Sequence, residues 1–278
     1  MKKSIEDLYL KLIEDTILSK IHPFTYADFK YNSKNILKNF IKFIIIKLFN
    51  KNSQRLVLKR NIKDNEIENG LIRASNSYSM IGKKRLVNIK TLINSIIHEK
   101  IEGDLIEAGI WKGGVLIYMR ACLKVHNDER NVFGADSFMG LPEVDDVNFP
   151  DDKIYKKILK KGPDMSLIVD KKNVVDNLEI FNFNDDKTIL LEGWFENTLK
   201  DSKIKKLALL RIDGDMYKST YEVLDLLYEK VSKNGYIVVD DYGLKSQACK
   251  KAVDDFRNKH NITNKINYID WSGIYWKK

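Results

Sequence analysis

Arg211-Ile212-Asp213-Gly214-Asp215-Met216-Tyr217 and Val238-Val239-Asp240-Asp241-Tyr242 each close a short apolar run, Leu207 to Ile212 and Tyr236 to Val239, and 27 residues separate Asp213 from Asp240. That spacing accommodates a strand, one returning helix and the next parallel strand. Neighbouring parallel strands end side by side at their carboxyl edge, so Asp213, Asp240 and Asp241 are expected to converge there. Three convergent carboxylates form an all-oxygen donor set, suited to a hard divalent cation such as Mg²⁺ or Ca²⁺ and unsuited to zinc. The alternative is a structural cation, or separate solvated caps. Asp215 stands just before a helical pattern and reads as its cap.

Outward from these clusters, short apolar runs alternate with helix-length patterns from about residue 100, the mark of an α/β domain with a parallel sheet. Strands are expected at Asp104 to Ala108, Asn131 to Ala135, Thr188 to Leu191, Leu207 to Ile212 and Tyr236 to Val239, with a weaker final pair at Lys265 to Ile269 and Gly273 to Trp276. Helices are expected near Gly114 to Lys124, Ser219 to Val231 and Lys245 to Asn258, where apolar residues recur at three- and four-residue spacing. Residues 141–184 hold three prolines, many charges and little periodicity, and read as a long insertion after the second strand. Residues 1–80 lie outside the alternating pattern and read as a helical arm, with the main domain spanning 81–278.

Composition narrows the class. At 278 residues with 44% hydrophobic content, the chain can bury one large core. Cys122 and Cys249 show no disulfide or zinc spacing, which fits a reducing cytoplasm. The net charge of +9 comes from lysines spread among many acids, so a solvated surface is expected and no nucleic-acid partner. No apolar stretch has the roughly 18 residues of a membrane-spanning helix, and the first residues do not form a signal peptide.

One segment of the arm stands apart. Lys30, Lys34, Lys38 and Lys42 recur every four residues among Ile36, Leu37, Phe40, Ile41, Ile44, Ile45 and Leu48, giving a basic amphipathic helix over about 30–51. Its apolar face is expected to pack on the main domain or on a second subunit; peripheral contact with an anionic membrane surface is the other reading.

The first strand of the main domain leads into Glu107-Ala108-Gly109-Ile110-Trp111-Lys112-Gly113-Gly114, and the second ends at Asp136-Ser137. Glycines at a strand-to-helix turn let a ligand approach the backbone, and an acid at the end of the second strand is placed to accept ribose hydroxyls. An acid on the first strand would repel a phosphate, so Glu107, Gly109 and Asp136 together point to a nucleoside carrying positive charge, a description S-adenosylmethionine fits. Taken singly, such acids and glycines also serve as caps and tight turns.

Six ordered blocks between Tyr78 and Asp255 resemble the macrocin O-methyltransferase family, whose members methylate sugar hydroxyls of glycosylated natural products. The blocks are Ser79 to Leu86, Gly103 to Gly114, Ala135 to Pro142, Glu192 to Leu199, Leu210 to Thr220, and Gly235 to Tyr242 with Ala252 to Asp255 beyond. The resemblance implies a Rossmann-like class I methyltransferase fold, a mostly parallel seven-stranded sheet with helices on both faces. It implies S-adenosylmethionine as methyl donor, lined by Met80, Glu107, Gly109, Asp136, Ser137, Gly193 and Trp194. It also implies Mg²⁺ held by Asp213, Asp240 and Asp241, with Asp213 as general base, a sugar-containing acceptor, and assembly into a homo-oligomer. Ser79 and Lys112 replace the family's more usual threonine and arginine with similar chemistry. The basic helix and the insertion do not follow the family pattern, so the acceptor is not carried over. A methyltransferase of another diol, of catechol type, and a noncatalytic carbohydrate-binding or membrane-associated protein are the competing readings.

Overall fold

The computed structural model describes residues 4–28, 36–49, 57–159, 167–201 and 203–278. Its amino-terminal part comprises α1 (Ile5–Ile17), β1 (Phe24–Asp28), α2 (Ile36–Phe49), β2 (Val57–Asn61), α3 (Asp64–Glu68) and α4 (Lys83–His98). The remainder runs β3 (Asp104–Ala108), α5 (Gly114–Val125), β4 (Val132–Asp136), α6 (Lys153–Leu159), α7 (Lys171–Ile180), β5 (Thr188–Glu192), α8 (Phe195–Thr198), β6 (Leu207–Ile212), α9 (Tyr217–Leu227), β7 (Val231–Val239), α10 (Ala248–Lys259), β8 (Asn267–Tyr268) and β9 (Ile274–Lys277).

Strands β3 to β9 form one seven-stranded sheet in the order β5-β4-β3-β6-β7-β9-β8. The β3, β4, β5, β6 and β7 pairings are parallel, and β9 runs antiparallel to both β7 and β8. This is the α/β Rossmann-like sheet expected of the sequence, with β3 and β6 bounded as the apolar runs predict. Side-chain alternation sorts the strands' two faces. Leu105, Leu209 and Val238 join a core with α1, α4, α5 and α7, whereas Ile106, Leu210, Ile212 and Val239 join another with α9 and α10.

Two expectations are corrected and one helix is added. Helix α4, absent from the sequence reading, buries Leu86, Ile89, Leu92, Ile93 and Ile96 at three- and four-residue spacing. Residues 171–184 are no irregular insertion: α7 is the crossover helix between β4 and β5, burying Val174 and Leu178. The arm is not wholly helical, because β1 and β2 pair antiparallel, and α1 packs Leu10, Ile13 and Ile17 into the main core. Of the basic helix, α2 carries Lys38 and Lys42, while Lys30, Lys34 and Lys51 lie outside the described residues. No helix among the described residues is long and apolar enough to cross a membrane.

The strand order reverses direction between β3 and β6, and a sheet of this kind binds ligands at such a switch point. The two strand ends are tied closely there: Asp213 N–H donates to the Ala108 carbonyl at 2.8 Å, and Gly109 N–H donates to the Ala135 carbonyl at 2.8 Å. Gly109 takes φ +91°, and a Cβ on it would stand 1.9 Å from the Asp213 carbonyl oxygen. Both the left-handed backbone and the approach require glycine. Gly109→Ala is therefore expected to destabilise the fold by on the order of 3 kcal/mol, read as a lowered midpoint in scanning calorimetry.

Candidate functional site

A cavity of about 570 Å³ opens at this switch point. Met80, Gly109, Asp136, Ser137, Gly193, Trp194 and Asp213 all line it, so seven residues singled out in the sequence meet in one volume. The ends of β3, β4, β5 and β6 and the loops after them deliver all but Met80, which comes from the segment before α4.

Asp136 organises the first two loops. Its Oδ2 accepts the Ile110 and Trp111 N–H groups at 2.9 and 3.1 Å, and its Oδ1 accepts the Phe138 N–H at 2.8 Å. Burial raises its pKa, opposed by these backbone hydrogen bonds. Ser137 Oγ donates to the Gly140 carbonyl at 2.9 Å and accepts the Met139 N–H at 3.1 Å, closing a tight turn at the cavity wall. Gly193 adopts φ +131° and donates its N–H to the Asp136 carbonyl, which locks the β5 loop to the β4 loop.

Glu107, Asp240 and Asp241 do not line the cavity; they lie behind it. Glu107 is 2% exposed, and its Oε1 pairs with Arg211 Nη1. Arg211, wholly buried, also sends Nη2 to Asp213 Oδ2 at 2.9 Å and to Asp240 Oδ2 at 2.5 Å. Arg85 of α4 adds Nη1 to the same Asp240 oxygen at 2.9 Å and Nε to Asp270 Oδ2 at 2.9 Å. The register explains the grouping. Glu107, Arg211 and Val238 are aligned across β3, β6 and β7, and alternation places Asp213 and Asp240 on the same face, toward α4. Glu107 is thus foremost a counter-ion, correcting the expectation that it faces the donor pocket.

Burial raises the Glu107 carboxyl well above its ordinary range; Arg211 opposes the shift, and Asp213, Asp240 and Asp136 add to it. Asp213 is also raised, by burial against the pull of Arg211. Asp240 is lowered, because Arg211 and Arg85 together overcome its burial. Asp241 Oδ2 accepts the Asp215 N–H at 3.0 Å, and burial with the neighbouring Asp215, Asp213 and Asp240 raises it well above the usual range.

The fit to a divalent cation is mixed. The donor chemistry is right for a hard ion, and Asp240 Oδ1 is buried without a hydrogen-bond partner. Yet among the described residues no three acidic, histidine or cysteine side chains converge closely enough to hold an ion. The convergence expected of Asp213, Asp240 and Asp241 is not preassembled, because the two arginines draw Asp240 inward.

Asp215 is not the helix cap. The first-turn N–H groups of α9, at Tyr217 and Lys218, donate to Asp152 Oδ1 and Oδ2 at 2.6 and 3.0 Å, and Asp215 instead lines the cavity in a left-handed conformation, φ +55°. The sequence reading also passed over Trp111, Glu196, Lys218 and Glu222 in the lining. Lys218 Nζ bridges Glu196 and Glu222 at 3.2 and 3.4 Å. Only the four-residue spacing of Lys218 and Glu222 was a visible signal of that contact.

With this geometry in place, the comparisons are direct. The family model for macrocin O-methyltransferase (TylF) matches residues 6–278. The chain is 40% identical over 205 residues to demethyldecarbamoylnovobiocin O-methyltransferase of Streptomyces niveus, covering 73% of this chain and 77% of the relative. It is 37% identical over 202 residues to 8-demethyl-8-(2,3-dimethoxy-alpha-L-rhamnosyl)-tetracenomycin-C 4'-O-methyltransferase of Streptomyces olivaceus, covering 72% and 76%. The solved structure of the O-methyltransferase NovP superposes with a TM-score of 0.81 at 32% identity, covering 98% of this chain and 99% of that one. The chain belongs to the macrocin O-methyltransferase family and is an S-adenosylmethionine-dependent O-methyltransferase.

The buried charges make Arg211 the residue whose loss the site tolerates least. Arg211→Met leaves Glu107, Asp213 and Asp240 without their shared counter-ion, and is expected to cost about 3–5 kcal/mol at neutral pH. The orphaned carboxyls would then have folded-state pKa values above their unfolded ones, so they would bind more protons folded than unfolded. Such groups lose stability as pH rises, and the deficit should shrink between pH 7 and pH 5. Urea unfolding of both proteins at the two pH values measures it.

Proposed function

We propose that this enzyme transfers the methyl group of S-adenosylmethionine to a hydroxyl of a sugar, within a glycan, a nucleotide sugar or a glycosylated natural product, with Mg²⁺ as its metal. The observation that carries this reading is the placement of Asp213 and Asp215 in the same cavity as Met80, Gly109, Asp136 and Gly193. One side offers a nucleoside seat and the other a carboxylate edge. A rhamnosyl 4'-O-methyltransferase among the relatives favours a sugar hydroxyl over a catechol.

On this reading Asp136, with Gly109 and Gly193 clearing space beside it, holds the ribose of the donor, while Met80 and Trp194 flank its apolar parts. The acceptor oxygen attacks the methyl carbon in line with the departing sulfur. A C–O bond forms as the C–S bond breaks, the electron pair passes to sulfur and neutralises the sulfonium, and the hydroxyl proton goes to a carboxylate. Asp213 is the proposed base: its side chain is 31% exposed at the cavity, and its raised pKa strengthens it as a proton acceptor. Asp215 is the second candidate, favoured because Asp152 relieves it of capping α9 and because Arg211 engages one oxygen of Asp213. Asp213, Asp240 and Asp241 would hold the cation, which when bound supplies Lewis acidity toward the acceptor oxygen and balances the surplus of carboxylates.

Methyl transfer from labelled S-adenosylmethionine to sugar and catechol acceptors, with and without EDTA, tests the proposal. Sugar methylation should vanish with EDTA and return with Mg²⁺; activity that persists in EDTA removes the metal from the reading. Asp213→Ala is expected to lower kcat by about 10²- to 10⁴-fold, and a smaller loss than that of Asp215→Ala would assign the base to Asp215.

Helix α2 bears on partners. Leu37, Phe40, Ile41, Ile44 and Leu48 form one stripe at three- and four-residue spacing, and each is between 41 and 66% exposed. Such a stripe suits a second subunit or a membrane surface. The helix contains Lys38, Lys42 and Lys47 and no acid, so we propose that it rests on an anionic lipid surface. Co-sedimentation with vesicles of anionic phospholipid should be lost in Ile41→Asp with Ile44→Asp. If those changes instead convert a homo-oligomer to monomers in sedimentation velocity, without any vesicle binding by the parent, the stripe is a subunit interface.

A further inference from the structure

We infer that Asp152 and Tyr155, on the crossover between β4 and β5, are positioning residues that hold the acid-bearing turn Asp213-Gly214-Asp215 in its working shape. The inference rests on the catalytic reading of that turn.

The turn is unusual in where it finds its support. Asp215 holds φ +55°, a conformation that costs a residue with a Cβ on the order of 1 kcal/mol or more and persists only when neighbours impose it. Its N–H is taken by Asp241 Oδ2 at 3.0 Å, from the end of β7. Its carbonyl accepts from the Tyr155 hydroxyl at 2.9 Å, and Ser246 Oγ, 3.2 Å from that hydroxyl, is placed to donate to it. One residue further on, the start of α9 has no cap from its own N-cap residue, Met216. Asp152 supplies both acceptor oxygens from 65 residues away in sequence, and is itself 1% exposed.

The two clamps form a single unit. Asp152 closes the 3₁₀ turn Pro150–Asp152, and Tyr155 lies in the first turn of α6, so one six-residue piece holds both the last carbonyl of the acid loop and the helix start that follows it. Tyr155, Met216 and Ala248 are buried against one another, with Leu141, Val144 and Tyr217 packed around them. Phe149 sets its ring 6.2 Å from that of Tyr217. The same crossover contributes Leu141, Pro142, Glu143 and Leu167 to the cavity wall. It therefore touches both the space an acceptor would fill and the turn that would take its proton. Acceptor seating and base placement are mechanically joined through residues 149–155.

Steady-state methyl transfer by full-length Tyr155→Phe and Asp152→Asn, below their melting temperatures and at saturating donor, tests this. Each removes hydrogen-bonding capacity without removing volume. Positioning predicts that kcat falls about tenfold, the rate equivalent of one hydrogen bond, while the donor dissociation constant measured by titration calorimetry stays unchanged. It also predicts that Tyr155→Phe has little further effect on kcat in a background of Asp213→Ala with Asp215→Ala, because the hydroxyl acts through the turn that carries both acids. A lowered melting temperature with unchanged kcat in both single variants would assign Asp152 and Tyr155 a purely structural role and overturn the inference. A full additional loss in that background, which lacks both acids, would overturn it as well. If Asp213→Ala and Asp215→Ala themselves retain the parent kcat, the catalytic reading of the turn fails and takes this inference with it; loss in those variants with a normal Tyr155→Phe enzyme sinks the inference alone.

Discussion

One wholly buried guanidinium, Arg211, holds three acids on three strand ends at the point where the sheet reverses direction, and the site's geometry follows from it. Burial alone would favour loss of its proton, but Asp240, Glu107 and Asp213 reverse that preference and keep it charged. A charge at this depth is tolerated because its planar fork can serve several carboxylates at once. Arg85 enters from α4 to share Asp240, so the helix that covers this face is pinned electrostatically to the sheet edge as well as by its apolar stripe.

The arrangement sets different tasks for acids that look alike. Alternation along β6 and β7 places Glu107, Asp213 and Asp240 on the Arg211 side, and Asp240, held between two arginines, is the most firmly ionised of them. Asp241, one residue on, turns away from that cluster and accepts a backbone N–H from the acid loop. The carboxylates behind the cavity outnumber their arginines, so the site retains negative charge toward the ligand space. That favours a cationic donor and disfavours an anionic group at the same position.

Much of this was legible in the sequence. The apolar runs of β3 and β6 have one length and one boundary whichever residue they are read from, and the 27-residue spacing of Asp213 and Asp240 required a parallel crossover. Gly109, Asp136, Ser137, Gly193, Trp194 and Asp213 were legible because each lies at or just after a strand end, where topology leaves little choice. Hidden contacts were those between distant segments. Arg211 reads as an unremarkable strand residue until Glu107 is known to stand beside it in register. Asp215 reads as a cap because aspartate before a helix usually is one, and only tertiary structure brings Asp152 to do that work. Helix α4 went unseen because lysines and an arginine in its first turn mask the apolar stripe behind them.

The departures from expectation cluster in the crossover between β4 and β5 and in the arm, and the reason is physical. The part of the cavity around Gly109, Asp136 and Gly193 is built from strand ends and tight turns, whose geometry the sheet dictates. The part around Leu141, Glu143 and Leu167 is closed by the connection from β4 to the edge strand β5, which is otherwise unconstrained in length. Such a connection can be shaped around a different acceptor without disturbing Gly109 or Asp136. It must, however, keep its grip on the turn of Asp213 to Asp215, because no residue within that turn caps α9 or takes the Asp215 carbonyl. A segment free in composition but fixed at two anchor points can change its lining without moving the turn of Asp213 to Asp215, and the hydrogen bonds of Asp152 and Tyr155 supply those anchor points.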